Sequence, residues 1–143
     1  MSEALSCTDF VDFVRDARLG VLATVSASGE AQAALVDLAV TDAGDLLLNS
    51  WDEGRKVANI EAHPKVALVI GWKGGVSLQV EGTAELLTGD RREAYGPTYL
   101  DQLAGARILS DRFVLIRVRP AWLRRYDATT RPPTVVEGAC DWY

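Results

Sequence analysis

What this sequence lacks narrows it first. It has one histidine and two cysteines among 143 residues. Cys7 and Cys140 stand near opposite ends with no C-x-x-C or Cys/His spacing. Neither a zinc site nor a disulfide framework is expected, and both thiols are taken as reduced. Basic residues are in deficit, 15 Lys and Arg against 20 Asp and Glu, for a formal charge of −5. Nucleic acid and anionic membranes need a basic face that such a chain supplies only as a local patch, so neither is an expected partner. No apolar run reaches the ~20 residues that cross a bilayer as a helix. Residues 1–8 have neither the basic start nor the apolar core of a secretory signal. The expected location is the cytoplasm. No nucleophile–base pair, metal cluster or paired carboxylates stand out, so the catalytic residues stay unassigned and any chemistry would be a cofactor's.

What is present fits one domain over 1–143, a length at which about 68–70% of the unfolded surface is buried. Its N-terminal helix is expected within 1–18. Thr8 is the expected cap, Phe10, Phe13, Val14 and Ala17 recur at helical spacing, and Gly20 is the expected left-handed stop. Residues 21–26 and 32–40 read as a hairpin across the Ser28-Gly29 turn. Asp37 lies among Leu35, Val36, Leu38 and Ala39. It is an edge charge or a buried acceptor, and the edge reading is favoured.

The organising stretch is 45–64. Leu46, Leu47 and Leu48 form a strand-length apolar run ending in Asn49 and Ser50. Asp52 and Glu53 then open a segment with Val57 and Ile60 at helical spacing, and Pro64 closes it. Strand, turn and helix follow in order. Arg55 and Lys56 fall in the first helical turn, where N–H groups are unpaired and the macrodipole is positive. An anion such as phosphate explains two cations there. The competing reading is solvated surface charge, partly balanced by Asp52 and Glu53.

Residues 66–72 are apolar on both faces and read as a covered mid-sheet strand. After Lys73-Gly74-Gly75 comes a clear alternation. Val76, Leu78, Val80, Gly82, Ala84 and Leu86 take one face, and Ser77, Gln79, Glu81, Thr83 and Glu85 the other. The polar face is solvated or lines a cleft, where Gln79 offers both a donor and an acceptor. Residues 90–103 are helical in composition with a break expected at Gly96-Pro97. Residues 113–118 and 122–126 read as two short strands separated by Pro120. Arg117, Arg119, Arg124 and Arg125 are edge charges or anion donors. The tail over 129–143 shows no periodicity but ends in Trp142-Tyr143, which suits packing across a neighbour.

This order implies an antiparallel sheet that curls to bury its apolar faces: a mainly β, α+β split barrel with short flanking helices. Leu19-Gly20-Val21-Leu22-Ala23-Thr24-Val25, Gly54-Arg55-Lys56-Val57-Ala58-Asn59-Ile60, His63-Pro64-Lys65-Val66-Ala67-Leu68 and Gln79-Val80-Glu81-Gly82-Thr83-Ala84-Glu85 together resemble the pyridoxamine 5′-phosphate oxidase-like flavin-binding split-barrel family. The resemblance spans roughly Leu19 to Tyr126. It implies a homodimer binding FMN at the subunit interface, with Arg55 and Lys56 on the phosphate. It also implies flavin contacts from Asn49, Ser50, Trp51 and Gln79, and contacts, partly main-chain, at Val36, Asp37 and Leu38.

The chain also departs from the vitamin B6 oxidases of that family. Their second strand starts with arginine and ends with lysine, where this chain has Ala33-Ala34 and Leu38-Ala39. Their Arg-x-His near the C-terminus is replaced by Arg124-Arg125-Tyr126-Asp127. The only histidine, His63, precedes Pro64 and is expected to cap a helix. The expected function is therefore an FMN-dependent oxidoreductase acting on a small molecule. The alternatives are an F420-dependent reductase, with Lys73, Arg91 and Arg92 facing the acidic tail of F420, or a non-enzymatic binder of flavin, haem or a B6 vitamer.

Overall fold

A computed structural model of the chain describes residues 5–104 and 111–143. Helix α1, Cys7–Ala17, buries Phe10, Val11 and Val14. Its cap is Ser6, whose side chain accepts from the Asp9 N–H at 3.1 Å; Thr8, the expected cap, lies inside the helix. The first four residues of the expected 1–18 helix lie outside the described residues. The left-handed stop falls on Arg18, φ 60°, whose N–H bonds the Val14 carbonyl. Gly20 instead sits within strand β1, Leu19–Val25. It serves close packing, since a Cβ there would come 2.8 Å from Leu38 Cδ1 and 3.0 Å from the Val69 carbonyl oxygen.

Strand β2, Ala31–Asp37, pairs antiparallel with β1 as the hairpin reading expects. The strand expected over 32–40 breaks at Leu38, whose N–H bonds the Arg18 carbonyl and whose side chain is buried. Strand β3, Ala39–Val40, then pairs with β4, Leu46–Trp51. Asp37 is exposed at the end of edge strand β2, in line with the edge reading. Helix α2, Arg55–Ala62, leads to β5, Lys65–Ile70, which lies between β1 and β6, Val76–Leu87. Mid-sheet placement of β5 was expected; cover on both faces is not met within this chain. Val66, Leu68 and Ile70 are buried, but Val69 is 42% exposed. Along β6 the alternation holds, with Leu78, Val80, Gly82 and Ala84 inward and Gln79, Glu81 and Thr83 outward.

Helix α3, Gly89–Gln102, runs through Pro97 where a break was expected. Proline in a helix interior costs about 3 kcal/mol. Anchors beyond it offset that cost: Tyr99 is buried and its hydroxyl donates to Asn49 Oδ1 at 2.9 Å, and Gln102 bonds both the N–H and the carbonyl of Val40. Strand β7, Phe113–Asp127, is also continuous where two strands were expected. Pro120 sits opposite Gly82, beside the register shift at Glu81/Gly82, where the ladder is already interrupted. Strand β8, Thr134–Ala139, pairs with the second half of β7, so the tail is not structureless. Trp142 packs on Phe10 with ring centroids 5.1 Å apart, and its Nε1–H donates to the Leu5 carbonyl. The tail folds onto its own chain and does not remain free.

The strands run β2-β1-β5-β6-β7-β4-β3, with β8 beside β7. They curl around Leu22, Leu38, Leu48, Ile70, Leu78 and Ile116, and α1 closes one side through Phe10 and Val14. The result is the mainly β split barrel of the sequence reading.

Two glycines test the packing. A Cβ on Gly82 would lie 2.4 Å from the Arg119 carbonyl oxygen, whereas one on Gly96 in α3 meets none of the described residues within 4 Å. We expect Gly82→Ala to cost about 1–3 kcal/mol through overpacking. Gly96→Ala should stabilise by about 0.5–1 kcal/mol through helix propensity and unfolded-state entropy. Urea unfolding of both variants checks the opposite signs.

Candidate functional site

At the end of β4 the chain turns through Asp52 and Glu53, with the Gly54 N–H bonded to the Trp51 carbonyl. Gly54 caps α2 in an extended conformation and supplies no side-chain hydrogen bond. The N–H groups of Arg55 and Lys56 are thus open to an outside acceptor. Glycine also keeps the turn close to the strand, since a Cβ on Gly54 would come 2.9 Å from Ser50 Oγ. Ser50 is buried beneath the turn and donates to the Trp51 carbonyl, and Lys56 Nζ reaches back to its Oγ at 3.4 Å.

Asp52 and Glu53 do not balance these cations. Both carboxylates face Arg112, at 3.8 Å and 3.5 Å. Among the described residues neither Arg55 nor Lys56 has a carboxylate partner. Two cations thus meet the positive end of a helix dipole with no carboxylate of the described residues in ion-pair contact. Such a helix start suits an anion; of the solvated, balanced reading, the direct ion pairs of Asp52 and Glu53 are made with Arg112 and not with Arg55 or Lys56.

Sequence reasoning missed three residues that hold this corner. Asn59, only 5% exposed, donates through Nδ2 to Thr24 Oγ1 at 2.9 Å and to Gln32 Oε1 at 2.8 Å. Gln32 Oε1 also accepts from Arg55 Nε at 2.9 Å. The network joins β1, β2 and α2. Asn59 stands four residues after Arg55, on the same helix face, which is the one signal the sequence carries. Nothing local pairs Gln32 with a helix 23 residues further on.

The remaining expected contacts separate into groups. Trp51 is 52% exposed beside the turn, its ring 4.5 Å from that of Phe113 with the Arg112 guanidinium 5.6 Å away. Asn49 and Asp37 line an open depression of about 600 Å³ with Arg18, Tyr99 and Gln102. Val36 and Leu38 bury their side chains in the core and offer a ligand only main-chain atoms. Gln79 lies on the outward face of β6, in register with Val69 and Arg124, and β6 neighbours neither β4 nor β2. Within one chain it is not brought to the α2 corner by strand pairing.

The four arginines of β7 are neither edge charges nor free anion donors. Arg117 approaches Glu85 at 3.5 Å and Asp45 at 3.9 Å; Arg119 approaches Asp45 at 3.5 Å and lies 4.2 Å from the Tyr143 ring centroid. Arg124 pairs with Glu137 and Arg125 with Asp127. Strand β7 has neighbours on both sides, so its charges meet carboxylates within the fold. His63 is the C-cap of α2, bonding Asn59 through its backbone N–H, as expected. No group of three His, Cys, Asp or Glu among the described residues is placed to hold a metal, and none of the described helices is long and apolar enough to cross a membrane.

The family model described as Pyridoxamine 5′-phosphate oxidase matches residues 8–127. A pyridoxine/pyridoxamine 5′-phosphate oxidase from Xanthomonas oryzae pv. oryzae is 30% identical over 78 residues, 52% of this chain and 39% of that protein. The match thus spans well under half of that curated relative's length. Among solved structures, a haem-binding protein from Mycobacterium smegmatis superposes with TM-score 0.80 at 19% identity, covering 99% of this chain and 61% of that one. A pyridoxamine 5′-phosphate oxidase-related, FMN-binding protein from Nostoc punctiforme gives TM-score 0.67 at 13% identity, covering 94% of each chain. At these identities the structural likeness concerns the fold.

Burial, with Asp37 nearby, pushes the Tyr99 hydroxyl up to about 12, so at neutral pH it remains a donor to Asn49. Because the folded value exceeds the unfolded value of about 10, the associated stability is complete below pH 10 and is lost as pH rises toward about 12. Tyr99→Phe should cost about 1 kcal/mol at pH 7 and flatten the fall in stability between pH 10 and 12. Urea unfolding across that range measures both.

Proposed function

This chain belongs to the pyridoxamine 5′-phosphate oxidase family, and we propose that it is an FMN-binding protein that holds the cofactor phosphate at the start of α2. One observation carries the reading: Arg55 and Lys56 stand at an uncapped helix start while Asp52 and Glu53 are turned to Arg112. A phosphate dianion suits the open N–H groups, the ammonium and the guanidinium together. Ser50 steadies Lys56, and Gly54 leaves room for it. Asn49, Trp51 and the main chain of Val36, Asp37 and Leu38 supply the surroundings of the ring. When bound, FMN would supply hydride or electron transfer, which makes the chain an oxidoreductase toward a small molecule. The F420 alternative has less support: Arg91 is spent on Glu85, and Lys73 lies at the turn between β5 and β6.

In Lys56→Ala, FMN binding should weaken roughly ten- to a hundredfold, the loss of one charge-assisted hydrogen bond. Riboflavin, which lacks the phosphate, should bind variant and wild type alike. Titration by flavin fluorescence decides it, and equal weakening of both flavins would sink the phosphate assignment.

The active form in this proposal is a homodimer. Leu35, Val21 and Val69 form one row across β2, β1 and β5, bordered by Gln79, and Leu35 is 63% and Val69 42% exposed. A second copy covers this row and brings Gln79 to the cofactor. The aromatic tail no longer supports the dimer, being used within the chain. Light scattering should give a dimer mass for wild type and a monomer for Leu35→Asp/Val69→Asp. A monomeric wild type at micromolar concentration with FMN present would refute the dimer.

A further inference from the structure

We propose that Gln32 is a positioning residue that aims Arg55 at the phosphate group of a ligand. This deepens the FMN reading above and rests on it. Asn59 is buried, and its Nδ2 protons are both used, on Thr24 Oγ1 and Gln32 Oε1. The Thr24 hydroxyl can donate or accept, so the Asn59 amide takes its orientation from Gln32. Gln32 Oε1 in turn receives two donors, Asn59 Nδ2 at 2.8 Å and Arg55 Nε at 2.9 Å. The Arg55 guanidinium can only donate, so it draws the Gln32 amide oxygen toward itself, and that oxygen in turn sets the Asn59 amide.

The consequence falls on Arg55. Its Nε–H is committed sideways to β2, and among the described residues its terminal nitrogens have no partner. A guanidinium tethered by Nε presents the paired Nη donors at its far end, the fork that matches two oxygens of one phosphate. Without the tether, the exposed side chain would lose rotamer freedom when it binds. Gln32 therefore acts through Arg55 without itself reaching the anion. Asn59, with Thr24 behind it, keeps Gln32 in place.

The test is a double-mutant cycle with two flavins. FMN and riboflavin are titrated by fluorescence into wild type, Gln32→Leu, Arg55→Ala and the double variant. Gln32→Leu should lower FMN affinity about three- to tenfold, a fraction of a full charge-assisted bond, and leave riboflavin affinity unchanged. In the Arg55→Ala background the same change should cost nothing further. If Gln32→Leu folds poorly, Gln32→Met, similar in length and without an acceptor oxygen at that point, carries the same comparison. A purely structural role for Gln32 predicts otherwise: equal loss for both flavins, or the same loss with and without Arg55, and either result overturns the inference. A wild type that binds FMN and riboflavin equally overturns the phosphate reading and this inference together. A phosphate preference undiminished by Gln32→Leu overturns the inference alone.

Discussion

The pairing of β6 with β7 is the constraint on which the other placements depend. It runs from Val76 opposite Asp127 to Leu87 opposite Leu115, with one register shift at Glu81/Gly82. Each half of β7 then holds a further strand on its other edge: β4 from Phe113 to Val118, and β8 from Trp122 to Asp127. A strand this long cannot stay flat against a closed core, and the bulge by Pro120 lets it bend. Gly82 permits the close crossing, because its missing Cβ makes room for the Arg119 carbonyl. Once β7 is bent, β4 is aimed so that Trp51 and Ser50 end beside α2. The candidate site is therefore positioned by a register set mainly by apolar alternation.

Electrostatics then separates two kinds of arginine. The β7 guanidiniums face carboxylates within the fold, with Asp45, just before β4, almost fully buried between Arg117 and Arg119. Among the described residues Asp45 Oδ1 and Arg117 Nε have no hydrogen-bond partner despite their burial, a geometry that gives up part of the attraction. At the α2 corner the arrangement is reversed. Arg112 takes the nearby carboxylates, while among the described residues Arg55 is held by a neutral amide and Lys56 rests on a hydroxyl. Leaving two cations unneutralised at a positive helix end works against stability.

The sequence carried the architecture through patterns of short range. The alternation of β6, the hairpin of β1 and β2, and the strand–turn–helix from Leu46 to Ala62 all follow from side-chain period and turn residues. These are decided within a few residues, and they were read correctly. The pairing of Arg55 with Lys56 at a helix start was legible for the same reason. The breakers misled: Gly20, Pro97 and Pro120 read as a stop and two interruptions, yet each lies inside an element. In each case distant contacts outweighed the local preference: Leu38 against Gly20, Asn49 and Val40 holding α3 beyond Pro97, and the β6 partner strand opposite Pro120.

By itself, then, the sequence determined the class of fold, the hairpin of β1 and β2, the strand–turn–helix from Leu46 to Ala62 and the presence of two cations at one helix start. Periodicity and capping are properties of neighbours, and a linear chain displays its neighbours. Only the tertiary structure decided which carboxylates those cations lack, that Gln32 and Asn59 grip Arg55, that the β7 arginines are structural and that Trp142 closes on Phe10. Each of these joins residues from separate elements. Such a contact exists only after the sheet has curled, because charge pairing and hydrogen bonding depend on distances that sequence separation does not encode.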